Sequence, residues 1–113
     1  MSAFSEKGLL GELEQLVLLA SLHLEDPYAV SIRDEIESRS GIALTRTSVY
    51  VALDRLDRKG YMTSWFGDPT PERGGRAKRY FRIEPLGMRA LRQTERELKA
   101  MWDGIDLKEA RRA

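Results

Sequence analysis

The spacing of apolar residues changes at Gly60. Three stretches with helical spacing precede it, two alternating stretches follow, and a last helical stretch closes the chain. The resulting order is helix, helix, helix, strand, loop, strand, helix. It restricts the fold more than any other feature of the sequence. The first helix is expected over residues 8–25, where Leu9, Leu13, Leu16 and Ala20 recur, Val17 and Leu24 widen the face, and Asp26-Pro27 breaks the run. The second runs over residues 30–40, with Ile32 and Ile36 inward and Gly41 as its stop. The third has the sharpest bounds: Thr45 as N-cap, "RTSVYVALDRLDRK" as its body and Gly60 at its end. Its Val49, Ala52, Leu53 and Leu56 fall within about 100° of one another on a helical wheel. Thr47, Val51, Asp54 and Arg58 occupy the opposite side, with Tyr50 and Arg55 on the flanks.

"YMTSWF" (61–66) and "KRYFRI" (78–83) alternate and are rich in β-forming types, so they read as a hairpin around a long turn containing Pro69 and Pro71. Phe81 and Ile83 share the face that anchors the hairpin; Lys78, Tyr80 and Arg82 share the other. Trp65 is expected in the core of the hairpin. The last helix, residues 85–103, begins with Pro85 at its first position. Leu91, Leu98 and Ile105 repeat every seven residues along it, with Thr94 and Met101 between them. The fold class is mainly α (α+β), a winged helix-turn-helix with a two-stranded wing.

The composition bounds the chemistry. The 113 residues include no cysteine, which excludes disulfides and thiolate metal sites and points to a reducing, cytoplasmic setting. The longest apolar run, Leu16 to Ala20, is far short of the roughly 20 residues a membrane helix needs, so no membrane partner is expected. Glu6, Glu12 and Glu14 have the wrong sign for a secretory leader. The single histidine, His23, has no cysteine or histidine to work with. "GGRAK" lacks the spacing of a phosphate-binding loop, and Asp54 and Asp57 read as surface ion pairs among basic residues. No catalytic residue, metal site or cofactor is therefore expected, and the chain is not read as an enzyme.

The net charge of +1 hides a strong asymmetry. Residues 1–37 carry 2 basic and 8 acidic side chains, whereas residues 38–82 carry 10 basic and 4 acidic. Arg73, Arg76, Lys78, Arg79 and Arg82 crowd into the wing around Gly74 and Gly75. Duplex DNA presents about one negative charge per 1.7 Å of its axis, and such a loop suits its backbone or minor groove. The glycine pair lets the backbone bend and approach closely. At the front of the third helix, Arg46, Thr47 and Ser48 stand where a recognition helix meets base edges. Tyr50, one turn in, either reaches a phosphate with its hydroxyl or packs against the wing with that hydroxyl at the surface. Arg55, Arg58 and Lys59 serve either the helix dipole or DNA. The reading is a sequence-specific double-stranded DNA-binding protein. The alternative is a winged-helix protein–protein interaction module whose basic wing meets an acidic partner.

The segments "YAVSIRDEIESRSGIALTRTSVYVALDRLDRKGYM" and "GGRAKRYFRIEPLGMRAL" resemble the PadR family of bacterial transcriptional regulators, and the similarity spans about residues 9 to 103. Arg46 stands where a proline is common in the family, and the single C-terminal helix is like that of its shorter members. The resemblance implies a homodimeric repressor on a pseudo-palindromic operator. It puts the DNA-reading residues at Arg46 to Tyr50 and Arg73 to Lys78. Residues 1–84 then form the winged-helix domain. Residues 85–113 supply a dimerisation helix packed with it as a single structural unit, with Leu91, Leu98, Met101, Trp102 and Ile105 at the interface. Some members bind flat aromatic compounds near that interface, which makes Trp102 the candidate contact for a small aromatic effector.

Overall fold

The computed structural model describes residues 10–68 and 77–109. The element order is α1 (Glu12–Leu22), α2 (Ala29–Ser40), α3 (Arg46–Arg58), β1 (Met62–Phe66), β2 (Arg79–Ile83) and α4 (Pro85–Trp102). These are the expected elements in the expected order. The fold is a mainly helical winged helix.

α1 is shorter than its apolar pattern suggests, because its first turn is fixed by local chemistry. The Glu14 carboxylate accepts the Gly11 backbone N–H at 3.2 Å, which starts the helix at Glu12. The same carboxylate is buried and pairs with Lys59 Nζ at 2.9 Å, tying the front of α1 to the end of α3. α2 starts where Ser31 Oγ accepts the Tyr28 backbone N–H at 3.0 Å. α3 is capped as expected: Thr45 Oγ1 accepts the Ser48 N–H at 3.0 Å. It ends where Gly60 turns the chain at φ 82°, a left-handed conformation that side chains with a Cβ rarely adopt.

The core lies where α1, α2 and α3 meet the inner face of the wing. Val17, Leu18, Ile32, Ile36, Val49, Ala52, Leu53 and Leu56 are buried there with Met62 and Phe81. The β1–β2 register pairs Met62 with Ile83, Ser64 with Phe81 and Phe66 with Arg79, so these six residues share one face, which is inward except at Phe66, 69% exposed at the end of β1. Thr63, Trp65, Tyr80 and Arg82 face outward. Trp65 is therefore not in the core of the hairpin: it is 40% exposed and stacks on Tyr80, with the Arg82 guanidinium 5.2 Å from its ring centre. The sheet also gains a fragment of a third strand. Tyr28 bridges Tyr80, and the Phe81 N–H donates to the Pro27 carbonyl at 2.9 Å.

α4 enters from the wing at a close crossing. Gly87 is buried against Tyr61, where an added Cβ would lie 2.3 Å from the Tyr61 carbonyl oxygen. Thr94 is also buried, and its Oγ1 accepts the Leu10 N–H at 3.2 Å. Beyond Glu97 the helix leaves the body, and every described residue from Leu98 to Glu109 is exposed. The radius of gyration, 16.8 Å, accordingly exceeds the roughly 13 Å of a compact chain of this length.

Candidate nucleic-acid interface

The exposed face of α3 is built by the same periodicity that builds the core. Turning Val49, Ala52, Leu53 and Leu56 inward leaves Arg46, Thr47, Tyr50, Val51, Arg55 and Arg58 outside. Arg46 and Thr47 are fully available at the front of the helix. Ser48 is not: its hydroxyl donates to the Thr45 carbonyl at 2.9 Å, and the residue is half-buried in the cap. Arg58 pairs with Asp54 at 3.1 Å, and Lys59 with Glu14. Among the described residues, no carboxylate lies within salt-bridge distance of Arg46, Arg55, Lys78 or Arg82.

The wing reaches α3 through Arg79. This residue is in phase with Phe81 and Ile83, so it points inward, and its side chain is only 19% exposed. Its guanidinium bonds side chains of two other elements, β1 and α3. Nε donates to Ser64 Oγ on β1 at 3.1 Å, Nη2 to Asp57 Oδ2 on α3 at 3.0 Å, and Nη1 to the Tyr50 hydroxyl. Ser64 Oγ in turn donates to Asp57 Oδ2, and Asp54 Oδ1 lies 3.9 Å from Nη1. Burial by itself lowers the pKa of the guanidinium, but the hydrogen bonds to Tyr50 and Asp57 and the negative charge of Asp57 raise it above its ordinary value. The group remains a fixed cation. Asp57 is thus an ion-pair partner, as expected, but one that joins the helix to the wing.

Lys78, just before β2, holds its ammonium 4.3 Å from the centre of the Tyr28 ring. Arg73, Gly74, Gly75 and Arg76 lie outside the described residues. Sequence reasoning missed Arg79 because it was counted with the basic loop. The signal that separates it is its alternation with Phe81, which turns it toward the core. The bridge at Tyr28 has no comparable signal, since a single β-bridge leaves no period.

A second surface is formed by α1 and α4. Leu19, Leu22, Leu91, Leu98 and Trp102 line an apolar groove of about 400 Å³. Leu91 is half-buried against its own core, whereas Met101 is 76% and Trp102 57% exposed, and Ile105 is exposed beyond them. His23 is exposed at the end of α1. Among the described residues, no cluster of His, Cys, Asp or Glu is placed to hold a metal ion, and no helix is long and apolar enough to cross a membrane.

The profile of the transcriptional regulator PadR-like family matches residues 18–93, a span that runs from α1 through the wing into α4. The chain belongs to the PadR-like family. Its members are transcriptional regulators, not enzymes. No curated protein matches the sequence. Solved structures share the fold. A PadR family transcriptional regulator from Eggerthella lenta is 26% identical, covers 88% of each chain and superposes with a TM-score of 0.68. A transcriptional regulator from Clostridium thermocellum is 23% identical over 89% of this chain and 90% of its own, also with a TM-score of 0.68. BpsR of Bordetella bronchiseptica, whose DNA binding is regulated by 6-hydroxynicotinic acid, is 16% identical. It covers 88% of this PadR-like chain and 70% of its own, with a TM-score of 0.58.

Proposed function

We propose that this PadR-like regulator acts as a homodimeric repressor that binds a pseudo-palindromic operator in double-stranded DNA. The observation that carries the reading is the union of two surfaces. The exposed face of α3 and the start of β2 are joined through Arg79, and the cations on both, Arg46, Arg55 and Lys78, stand without carboxylate partners among the described residues. In this reading Arg46 and Thr47 meet base edges in the major groove, and Tyr50 meets the backbone. Ser48 contributes by holding the front of the helix. Arg73, Gly74, Gly75, Arg76 and Lys78 follow the phosphates beside it.

The homodimer reading is supported by the exposed apolar residues of α1 and α4. Leu98, Met101, Trp102 and Ile105 extend past the body, where a second copy would cover them together with Leu19 and Leu22. A small aromatic effector fits the same groove, against Trp102. The regulated DNA binding of BpsR is the precedent for an aromatic acid acting on this fold. The regulator would act on chromosomal DNA in the cytoplasm.

Selection of bound duplexes from a random pool tests the reading. The expected product is an inverted repeat with half-sites about one helical turn apart. A pool that is not enriched, with binding instead to an acidic protein partner, would make the chain an interaction module.

A further inference from the structure

Arg79 stands in the most basic segment of the chain, yet its geometry gives it a different task from its neighbours. We infer that Arg79 does not touch DNA and is a positioning residue, which holds the Tyr50 hydroxyl as a hydrogen-bond donor to a backbone phosphate. The inference rests on the DNA-binding reading above and names how one side chain of that surface is prepared.

A phenol has one proton to donate and lone pairs to accept with. Arg79 Nη1 donates to the Tyr50 oxygen, so the acceptor side is used and the proton is left over. No other hydrogen bond engages that hydroxyl among the described residues, and Tyr50 is 41% exposed on the face it shares with Arg46 and Thr47. A donor whose acceptor side is engaged by a cation suits a partner that can only accept. A phosphodiester oxygen is such a partner. The guanidinium polarises the O–H bond and makes it a stronger donor. Arg79 itself is turned away from DNA. Three of its five N–H groups go to Ser64, Asp57 and Tyr50, its side chain is only 19% exposed, and its face packs 4.9 Å from the Phe81 ring centre. The fork is planar and takes bonds in fixed directions, so a lysine would keep the charge without keeping the arrangement.

The test is a double-mutant cycle on the full-length dimer, using a duplex selected from the random pool and affinities measured by fluorescence anisotropy across a salt series. Tyr50→Phe and Arg79→Met should each weaken binding about tenfold per subunit, the size of one lost charge-assisted hydrogen bond. The double variant should be no weaker than either single one. The salt slope should not change in any of the three, because it falls by about 0.9 only when a phosphate-neutralising cation is removed. Arg79→Lys should not restore the affinity. The inference is overturned if Arg79→Met lowers the slope by about one and adds to Tyr50→Phe, which would make it a direct phosphate contact. It is overturned equally if Tyr50→Phe binds like the wild type, a result that does not depend on how well the Arg79 variants fold. Failure of the wild type to bind any duplex would remove the DNA-binding reading as well. Independent action of Arg79 and Tyr50 in a protein that does bind would remove this inference alone.

Discussion

At the scale of single residues, two close contacts set how the elements meet. Asp57 is held by both Arg79 and Ser64, so removing its carboxylate leaves a largely buried guanidinium with one charged partner fewer. Asp57→Ala should lower stability by about 2 kcal/mol, the cost of unpairing such a group. A urea titration reads this directly, and an unchanged midpoint would mean the pair is not formed in solution. Gly87 makes the other contact. With the Tyr61 carbonyl only 2.3 Å from the position of an added Cβ, and with that oxygen already accepting the Glu84 N–H, Gly87→Ala forces the helix and the wing apart. The expected loss is about 2–3 kcal/mol by the same titration, as for other overpacked sites. Serine or valine should be no better tolerated.

At the scale of elements, α3 is the best-determined part of the fold. Thr45→Ala removes the side-chain acceptor for the Ser48 N–H and should cost about 1 kcal/mol, seen as a lower denaturation midpoint with an unchanged slope. That helix was legible from the sequence because its cap, its stripe and its terminal glycine all agree. The wing strands were legible for the same reason, and so was Phe81 as their anchor. Trp65 was not: hydrophobicity suggested the core, but strand phase places it opposite Tyr80 on the outer face. The start of α1 was hidden because it depends on Glu14, whose role needs Lys59, 45 positions away. Of the candidate interface, the exposure of Arg46 and Thr47 at the front of α3 could be read from position alone. The role of Arg79 could not, because a run of basic residues looks the same whether a member faces DNA or a carboxylate.

At the scale of the whole molecule, the projecting part of α4 distinguishes a monomer from an assembly. An exposed apolar end is costly in water and is satisfied when two copies cover it. Light scattering should report twice the 12.9 kDa chain mass for the wild type. Leu98→Glu should shift that mass toward the monomer while leaving the winged-helix core folded, since Leu98 is not part of the buried core of its own chain. A wild-type mass of one chain would instead confine recognition to a single half-site. The most direct test of the account is the salt dependence of duplex affinity. A dimer with a cationic α3 face and wing on each subunit should give a slope of log K against log salt of about −5 or steeper. Duplex binding that is absent at low salt, or that stays level as salt rises, would contradict it.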